Sequence, residues 1–177
     1  MTAIAYKDGI LAVDSLLVEA DAFKLCSIDK VKVVTTSEGV WLMAASGIVN
    51  EGQKAQDFLE DYITGIGEQD SRPITEEEFV AKISRDYDVE AHDYTIIVVR
   101  PSGGWTYFNS KGFEGHYPVD VPSTSGSAYQ FLIGAIAAGA DAPTAVHLAA
   151  TKMTNCGPPV RVYKHGIGEI AWASPQK

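Results

Sequence analysis

The sequence has little cysteine and no clustered histidine. Of its 177 residues only two are cysteines, Cys26 and Cys156, and no Cys-x-x-Cys pair occurs. Neither a disulfide framework nor a cysteine metal site is therefore expected. The four histidines show no ligand spacing such as His-x-x-x-His. We expect no bound metal and no other cofactor.

Long apolar runs are also missing. The longest nearly uninterrupted apolar stretch, residues 131–140, is about half of the roughly 20 residues that a membrane-spanning helix needs. The N-terminus lacks a basic leader, and Asp8 interrupts any apolar signal segment. These absences predict a cytoplasmic protein with no membrane association.

Positive charge is scarce. The chain has 14 basic and 23 acidic residues, and residues 51–90 alone hold 4 bases and 12 acids, a net charge of 4 − 12 = −8. An acidic chain lacks the positive surface that supplies most nucleic-acid affinity, so no nucleic-acid partner is expected. A solvated helical face accounts for the acidic segment better than a docking surface does.

What is present is the composition of an ordinary globular protein, 46% apolar and 21% charged. This length predicts one domain over residues 1–177. The first fifteen residues form two short apolar segments around Asp8-Gly9, a strong signal for a β-hairpin. Thr2 lies at the start of this hairpin and Asp14 at its end. Removal of Met1 would give Thr2 a free α-amine beside its hydroxyl, which is a nucleophile with its own base.

Patterns along the remaining chain predict strands in groups and helices in pairs. Residues 15–29 have no clear period and are expected to form a loop, and residues 109–125 are expected to include one short strand. Thr75 and Glu78 have the spacing of a capping box, and Asp141 is the N-cap candidate of the last helix. The predicted strands are 30–35, 40–45, 94–99, 105–108, 160–163 and 170–173, and the predicted helices are 48–64, one that starts at 75, 127–138 and 142–153.

The order of these elements predicts an α+β fold. Paired helices and hairpin strands do not fit the alternation of a parallel doubly wound sheet. Two antiparallel sheets, each covered by a pair of helices, would bury the apolar faces of all the elements. The fold class expected is therefore a four-layer αββα sandwich.

Several strings resemble the proteasome β-subunit and bacterial HslV peptidase family of N-terminal nucleophile hydrolases, and the resemblance spans nearly the whole chain. The strings are the opening Thr2–Ala5 strand with its hairpin to Asp14-Ser15, Asp29-Lys30-Val31, Ala44–Gly47 before a helix, Gly126-Ser127-Ala128 opening another, and Cys156-Gly157 before Val160-Arg161-Val162. Lys30 lies sixteen residues after Asp14, the separation usual in the family. The family has the αββα sandwich and uses an exposed N-terminal threonine.

This resemblance implies roles for the residues that match. Thr2 is the expected nucleophile, with its own α-amine as the base. Asp14 and Lys30 are expected to form a buried charge pair beside it, because a nearby ammonium favours deprotonation of the threonine hydroxyl and amine. Lys32 lies on the same strand face as Lys30 and stays an alternative, although the spacing from Asp14 favours Lys30.

Two further residues are implied. Gly47 is expected to present its backbone N–H to the developing oxyanion, with Ala45 and Ser46 as alternatives. Ser127 is expected to form a hydrogen bond with the α-amine, and it could equally cap the helix that follows. Ser125 is the rival if the loop register differs.

The resemblance implies a threonine-type endopeptidase that acts on unfolded polypeptides or peptides from within a homo-oligomeric ring. An ATP-driven unfoldase partner is implied by the resemblance alone. Two other functions stay open. The first is an inactive structural or assembly homologue that retains Met1, because residues 153–155 lack the carboxylate that typical proteasome β-subunits place ahead of the serine that Cys156 replaces. The second is an N-terminal nucleophile amidase that acts on a small amide.

Overall fold

A computed structural model describes residues 2–19, 22–66 and 72–174, so that Met1 lies outside the described residues. In chain order the elements are β1 Ile4–Lys7, β2 Ile10–Asp14, β3 Leu16–Glu19, β4 Ala22–Ser27, β5 Val31–Thr36, β6 Gly39–Gly47, α1 Val49–Thr64, α2 Glu76–Asp86, β7 Tyr94–Val99, β8 Trp105–Asn109, β9 Gly112–Tyr117, β10 Ser123–Ser125, α3 Tyr129–Ala137, α4 Ala142–Lys152, β11 Val160–Lys164 and β12 Gly168–Ile170.

The chain divides into two compact units of similar size. The prediction of one domain over residues 1–177 stays a prediction. The first unit consists of Met1–Val31, Val119–Lys164 and Glu169–Lys177, and the second of Lys32–Pro118 and His165–Gly168.

The predicted opening hairpin is confirmed. β1 and β2 pair antiparallel, with Ile4 opposite Val13. Asp8 and Gly9 join them with φ angles of 51° and 81°. Two consecutive positive φ angles are what a two-residue type I′ turn requires, and Asp-Gly supplies them at low cost. The turn therefore fixes the register that aligns Thr2 and Ala3 with the end of β2.

The first unit is built on a five-stranded sheet with the order β10-β1-β2-β11-β12. Small residues of β1 and β2, such as Ala5 and Ala12, form one core with α3 and α4, together with Ala3 just before β1. Small side chains on both the sheet and α4 let the helix approach the strands closely. The side chains of Ile4 and Leu11, which alternate with these residues, are also fully buried. The central strands are therefore buried on both faces.

The second unit is built on a five-stranded sheet in which β5 to β9 follow one another in chain order. Its core contains aromatic side chains, with Trp41 and Phe108 from the sheet packed with Leu59 of α1 and Phe79 of α2. The predicted stop of α1 is confirmed, since Gly65 caps it at φ 72°. The capping box of Thr75 and Glu78 at the start of α2 is present as well.

Three predictions from the sequence are wrong. The strand predicted at 170–173 is displaced, because β12 covers Gly168–Ile170 and residues 171–174 form no strand. Residues 15–29 are not a loop, because β3 and β4 form a two-stranded sheet. Their register shifts between Leu17 and Glu19, and such a bulge breaks the alternation by which a strand is recognised. Residues 109–125 contain two strands, β9 and β10, rather than one. Gly112 and Gly115 lie in β9, and glycine lowers the strand propensity of a segment.

Within the described residues no helix is both long and apolar enough to cross a membrane.

Candidate active site

A buried ion pair lies at the end of the opening hairpin. Asp14 is the last residue of β2, and its Oδ1 accepts a hydrogen bond from Lys30 Nζ at 2.9 Å. Asp14 is 1% exposed and Lys30 8% exposed. Burial lowers the pKa of the Lys30 ammonium below its ordinary value, and the charge of Asp14 opposes that shift. The structure thus brings two of the predicted site residues into direct contact.

The Asp14 carboxylate is fully satisfied by donors. Besides Lys30, Oδ1 accepts from Ala3 N at 2.8 Å. The other oxygen, Oδ2, accepts from Leu16 N at 3.3 Å and from Gly157 N at 3.1 Å. A buried carboxylate is tolerated when it is both paired and hydrogen-bonded in this way. Asp14 therefore joins the ammonium of Lys30 to the backbone one residue after Thr2.

Lys32, the alternative to Lys30, has different partners. Its Nζ forms ion pairs with Asp57 and Glu60 of α1. Burial opposes the ionised form of Lys32, but hydrogen bonds to Asp57 and Glu60, and then the charges of these carboxylates, raise its pKa above the ordinary value. The contacts therefore favour Lys30 as the lysine of the site.

Thr2 is held by the segment that precedes α3. Its backbone N donates to Ser127 Oγ at 3.3 Å, and its carbonyl oxygen accepts from Ala128 N at 3.4 Å. Gly126 has a φ of 88°, and a Cβ at this position would lie 2.0 Å from the Thr2 carbonyl oxygen. Only glycine fits here. The predicted Gly126-Ser127 turn is thus placed directly against the predicted nucleophile.

Ser127 does not act as the helix cap that the sequence allowed. The N-cap of α3 is Ala128, and no side chain caps this end. The Ser127 hydroxyl faces the nitrogen that becomes the α-amine of Thr2 once Met1 is removed. Its rival Ser125 lies in β10, in register with Ile4 of β1. The geometry therefore favours Ser127 for the bond to the amine.

Gly47, the predicted oxyanion donor, lies in the second unit at the end of β6. Its φ is 106°, and a Cβ there would meet the Asp93 carbonyl oxygen at 2.1 Å. The hydroxyl of its neighbour Ser46 pairs with Thr95 Oγ1 at 2.5 Å. A glycine is thus required at position 47 for backbone reasons, and its role as oxyanion donor stays a prediction.

One further residue lies beside these groups. Cys156 is a free, buried cysteine. Burial, and next the charge of Asp14, raise the pKa of its thiol to about 11, while the charge of Lys30, and more weakly a hydrogen bond with Ser127, oppose the rise.

Asp29 was not predicted as a site residue from the sequence. Its Oδ1 accepts a hydrogen bond from Val31 N at 3.1 Å and so holds the segment that carries Lys30. An aspartate two residues before the start of a strand often forms a turn, and this signal could have drawn attention to Asp29.

In the described part of the chain, no three His, Cys, Asp or Glu side chains form a group that could hold a metal ion.

Thr2, Asp14 and Lys30 together offer a hydroxyl, an amine position, a carboxylate and an ammonium. These groups suit acyl transfer by an N-terminal nucleophile.

Comparison by sequence finds no relative. No family model matches the chain, and no curated protein matches it.

Comparison by structure does find relatives in fold. The protein BPH of Thiobacillus denitrificans superposes with a TM-score of 0.61 at 17% identity, over 94% of this chain and 98% of that one. BPH has also been solved in complex with epoxomicin. The Gly-1 mutant of Anbu from Hyphomicrobium sp. strain MC1 gives 0.66 at 11% identity, over 97% and 86%. HslV from Trypanosoma brucei gives 0.61 at 15% identity, over 93% and 99%.

The chain has the fold of the proteasome-like N-terminal nucleophile hydrolases. The predicted fold class is confirmed, since two antiparallel five-stranded sheets with four helices match this αββα sandwich. The resemblance first drawn from short strings is confirmed at the level of the fold. Identities of 11–17% show the fold alone. Any chemistry must therefore be argued from the residues of this chain.

Proposed function

We propose that this proteasome-like chain is a threonine-type endopeptidase whose nucleophile is the Thr2 hydroxyl, exposed for catalysis when Met1 is removed. One observation carries the proposal. The Asp14 carboxylate binds both Lys30 Nζ and Ala3 N, so a buried ammonium and the start of the chain share one anchor. On the other side of Thr2, its nitrogen lies 3.3 Å from Ser127 Oγ.

In the proposed reaction the Thr2 hydroxyl attacks a peptide carbonyl carbon, and its proton passes to the α-amine of the same residue, through water. The C–N bond then breaks, the leaving amine takes the proton, and the acyl group stays on Thr2 as an ester. A water molecule hydrolyses the ester and restores the hydroxyl. The two steps release both halves of the substrate and return the enzyme to its starting state.

The supporting groups have separate tasks in this proposal. The Lys30 ammonium favours the deprotonated forms of the Thr2 hydroxyl and amine through its field. Asp14 keeps Lys30 charged despite burial. Ser127 orients the amine, and the Gly47 N–H stabilises the oxyanion, a kind of interaction worth about 10²–10³ in rate in other acyl-transfer enzymes.

Hydrolysis of fluorogenic peptides tests the nucleophile. We expect activity in the wild type, none above background in Thr2→Ala, and partial activity in Thr2→Ser, which keeps a hydroxyl. Thr35→Ala is the matched control, because Thr35 is an exposed threonine of β5 in the second unit. Hydrolysis by Thr2→Ala at the wild-type rate would refute the proposal.

The assembly is proposed along with the activity. A threonine nucleophile that cuts unfolded chains is safe only when enclosed, and the fold is that of the HslV structure described above, so we propose a homo-oligomeric ring. Sedimentation analysis should give a mass that is a multiple of the 19.0 kDa chain. A monomer at micromolar concentration would contradict the ring. An ATP-driven unfoldase partner is proposed only by analogy with this family, and pull-down with a purified candidate ATPase tests it.

An inactive assembly component is the second candidate. It is favoured by one feature, the absence of a carboxylate at residues 153–155, ahead of the buried Cys156. This candidate predicts no hydrolysis by wild type or any variant, with assembly intact. A third candidate is an amidase of the same fold. Degradation of casein would favour the peptidase, whereas hydrolysis of small amides without casein degradation would favour the amidase.

A further inference from the structure

Lys30 lies on a short irregular segment between β4 and β5, and its neighbours are tied down on both sides. Ile28 N donates to Ser15 O at 2.9 Å, directly after Asp14. Val31 N donates to Asp29 Oδ1 at 3.1 Å. The backbone around Lys30 is therefore fixed independently of the ion pair that its side chain forms.

Asp29 connects this segment to β11. Its Oδ2 accepts from Arg161 Nη1 at 2.7 Å, and its Oδ1 accepts from Tyr163 Oη at 3.2 Å. Tyr163 is buried, and burial raises the pKa of its phenol, which thus stays a donor. β11 is the neighbour of β2 in the sheet, with Val160 in register with Asp14. The strand that holds Asp29 is thus the one that lies beside Asp14.

We propose that Asp29 is a positioning residue for Lys30: by binding Val31 N, Tyr163 and Arg161 at once, it sets the backbone from which the ammonium reaches Asp14. The proposal depends on the peptidase function proposed for Lys30. It extends that function to a carboxylate that is itself half-exposed and lies outside the reacting groups.

The position of the ammonium governs the chemical step rather than substrate binding. A shift of about 1 Å in a catalytic group costs on the order of 10²-fold in rate. For Asp29→Ala we therefore expect kcat to fall by roughly 10- to 100-fold, with KM nearly unchanged. Asp29→Asn keeps an acceptor oxygen and the shape of the side chain, so we expect it to retain most of the wild-type kcat.

Glu169→Gln is the matched control. Glu169 is an exposed carboxylate whose Oε2 lies 3.9 Å from the same Arg161 Nη1. Its variant should leave kcat and KM at wild-type values. Equal kcat values for Asp29→Ala and Glu169→Gln would overturn the positioning role.

The pKa of the Lys30 ammonium, followed by NMR of the lysine side chain, gives a readout that does not need activity. Loosening the segment lets Lys30 reach water, so its pKa should rise toward the ordinary value in Asp29→Ala and stay unchanged in Asp29→Asn. A role of Asp29 through charge alone predicts the opposite, a lower pKa of Lys30 in both variants, and would overturn the proposal.

These readouts separate the two proposals. If the wild type hydrolyses no peptide, the peptidase function fails, while the NMR comparison still decides whether Asp29 positions Lys30. Should Asp29→Ala fail to fold, Tyr163→Phe takes its place, because it removes only one of the three bonds. A rise in the pKa of Lys30 in that variant supports the role of Asp29, and an unchanged pKa overturns it.

Discussion

Asp14 is the residue on which the site depends most. Four donors converge on its carboxylate, and one of them is a buried ammonium. The pair has a structural as well as a chemical role, because removing one partner leaves the other charge buried and uncompensated.

Replacement of Asp14 by Asn should therefore be costly. The amide has no charge to offset Lys30, and its NH2 group would face backbone N–H donors. Breaking a buried ion pair costs about 3–5 kcal/mol in the free energy of unfolding, which urea denaturation measures. The matched control is Asp57→Asn, which removes one partner of the partly exposed Lys32 and should cost no more than about 1 kcal/mol. Equal losses of unfolding free energy in the two variants would show that the buried pair stabilises the protein no more than the exposed one.

Gly126 offers a second test at the residue scale. Gly126→Ala combines a positive φ with a Cβ 2.0 Å from the Thr2 carbonyl oxygen. At Gly139 the φ is 98°, but no atom of the described residues lies within 4 Å of an added Cβ. The left-handed conformation costs about 1–2 kcal/mol for an L-residue. We expect Gly139→Ala to lose about that much in unfolding free energy and keep its peptidase activity, and Gly126→Ala to lose more stability and its activity. Similar behaviour of both would mean that the close approach to Thr2 is unimportant.

Among the elements, α2 has the most sharply defined start. Thr75 Oγ1 accepts from Glu78 N at 3.2 Å, and Glu78 Oε2 accepts from Thr75 N at 3.1 Å. Thr75→Ala removes the first bond and should lower the free energy of unfolding by about 1 kcal/mol. Thr75→Ser keeps the hydroxyl and should lose only a fraction of that. An unchanged denaturation midpoint for Thr75→Ala would contradict the importance of this cap.

The capping box of α2 also predicts that the stability of the protein depends on pH. Hydrogen bonds from Arg72, and then from the Thr75 backbone, hold the pKa of Glu78 at about 2, below its ordinary value of 4.5. Because the folded pKa is the lower one, the stabilisation is present above about pH 4.5 and is lost as the pH falls toward 2. In Glu78→Gln the stability should change less between pH 5 and pH 2 than in the wild type. Identical acid profiles would exclude a contribution from Glu78.

Elements with strong local signals could be predicted from the sequence. The Asp8-Gly9 hairpin, the Tyr94–Val99 strand and the capping box of α2 each depend on residues close together in the chain, and all are confirmed. β3 and β9 could not be predicted in this way. A bulge in one and glycines in the other remove the alternation, so their pairing with neighbouring strands decides the structure.

At the scale of the whole molecule, the site depends on contacts between residues distant in sequence. Thr2 meets Ser127 because β1 pairs with β10, and Asp14 meets Gly157 because β2 pairs with β11. Spacing alone cannot supply such pairings, and the candidate residues came from the resemblance to a family. The sequence did not identify Asp29 as a positioning residue, because that role depends on three contacts. Two of these contacts are to a strand more than 130 residues away.

In the proposed mechanism the α-amine of Thr2 serves as the base, and a retained Met1 would block it. The most direct test compares two forms of the wild-type protein, with and without Met1, identified by intact mass and assayed on the same fluorogenic peptide. We predict that only the form without Met1 hydrolyses the peptide. Equal rates for the form that retains Met1 would contradict the mechanism.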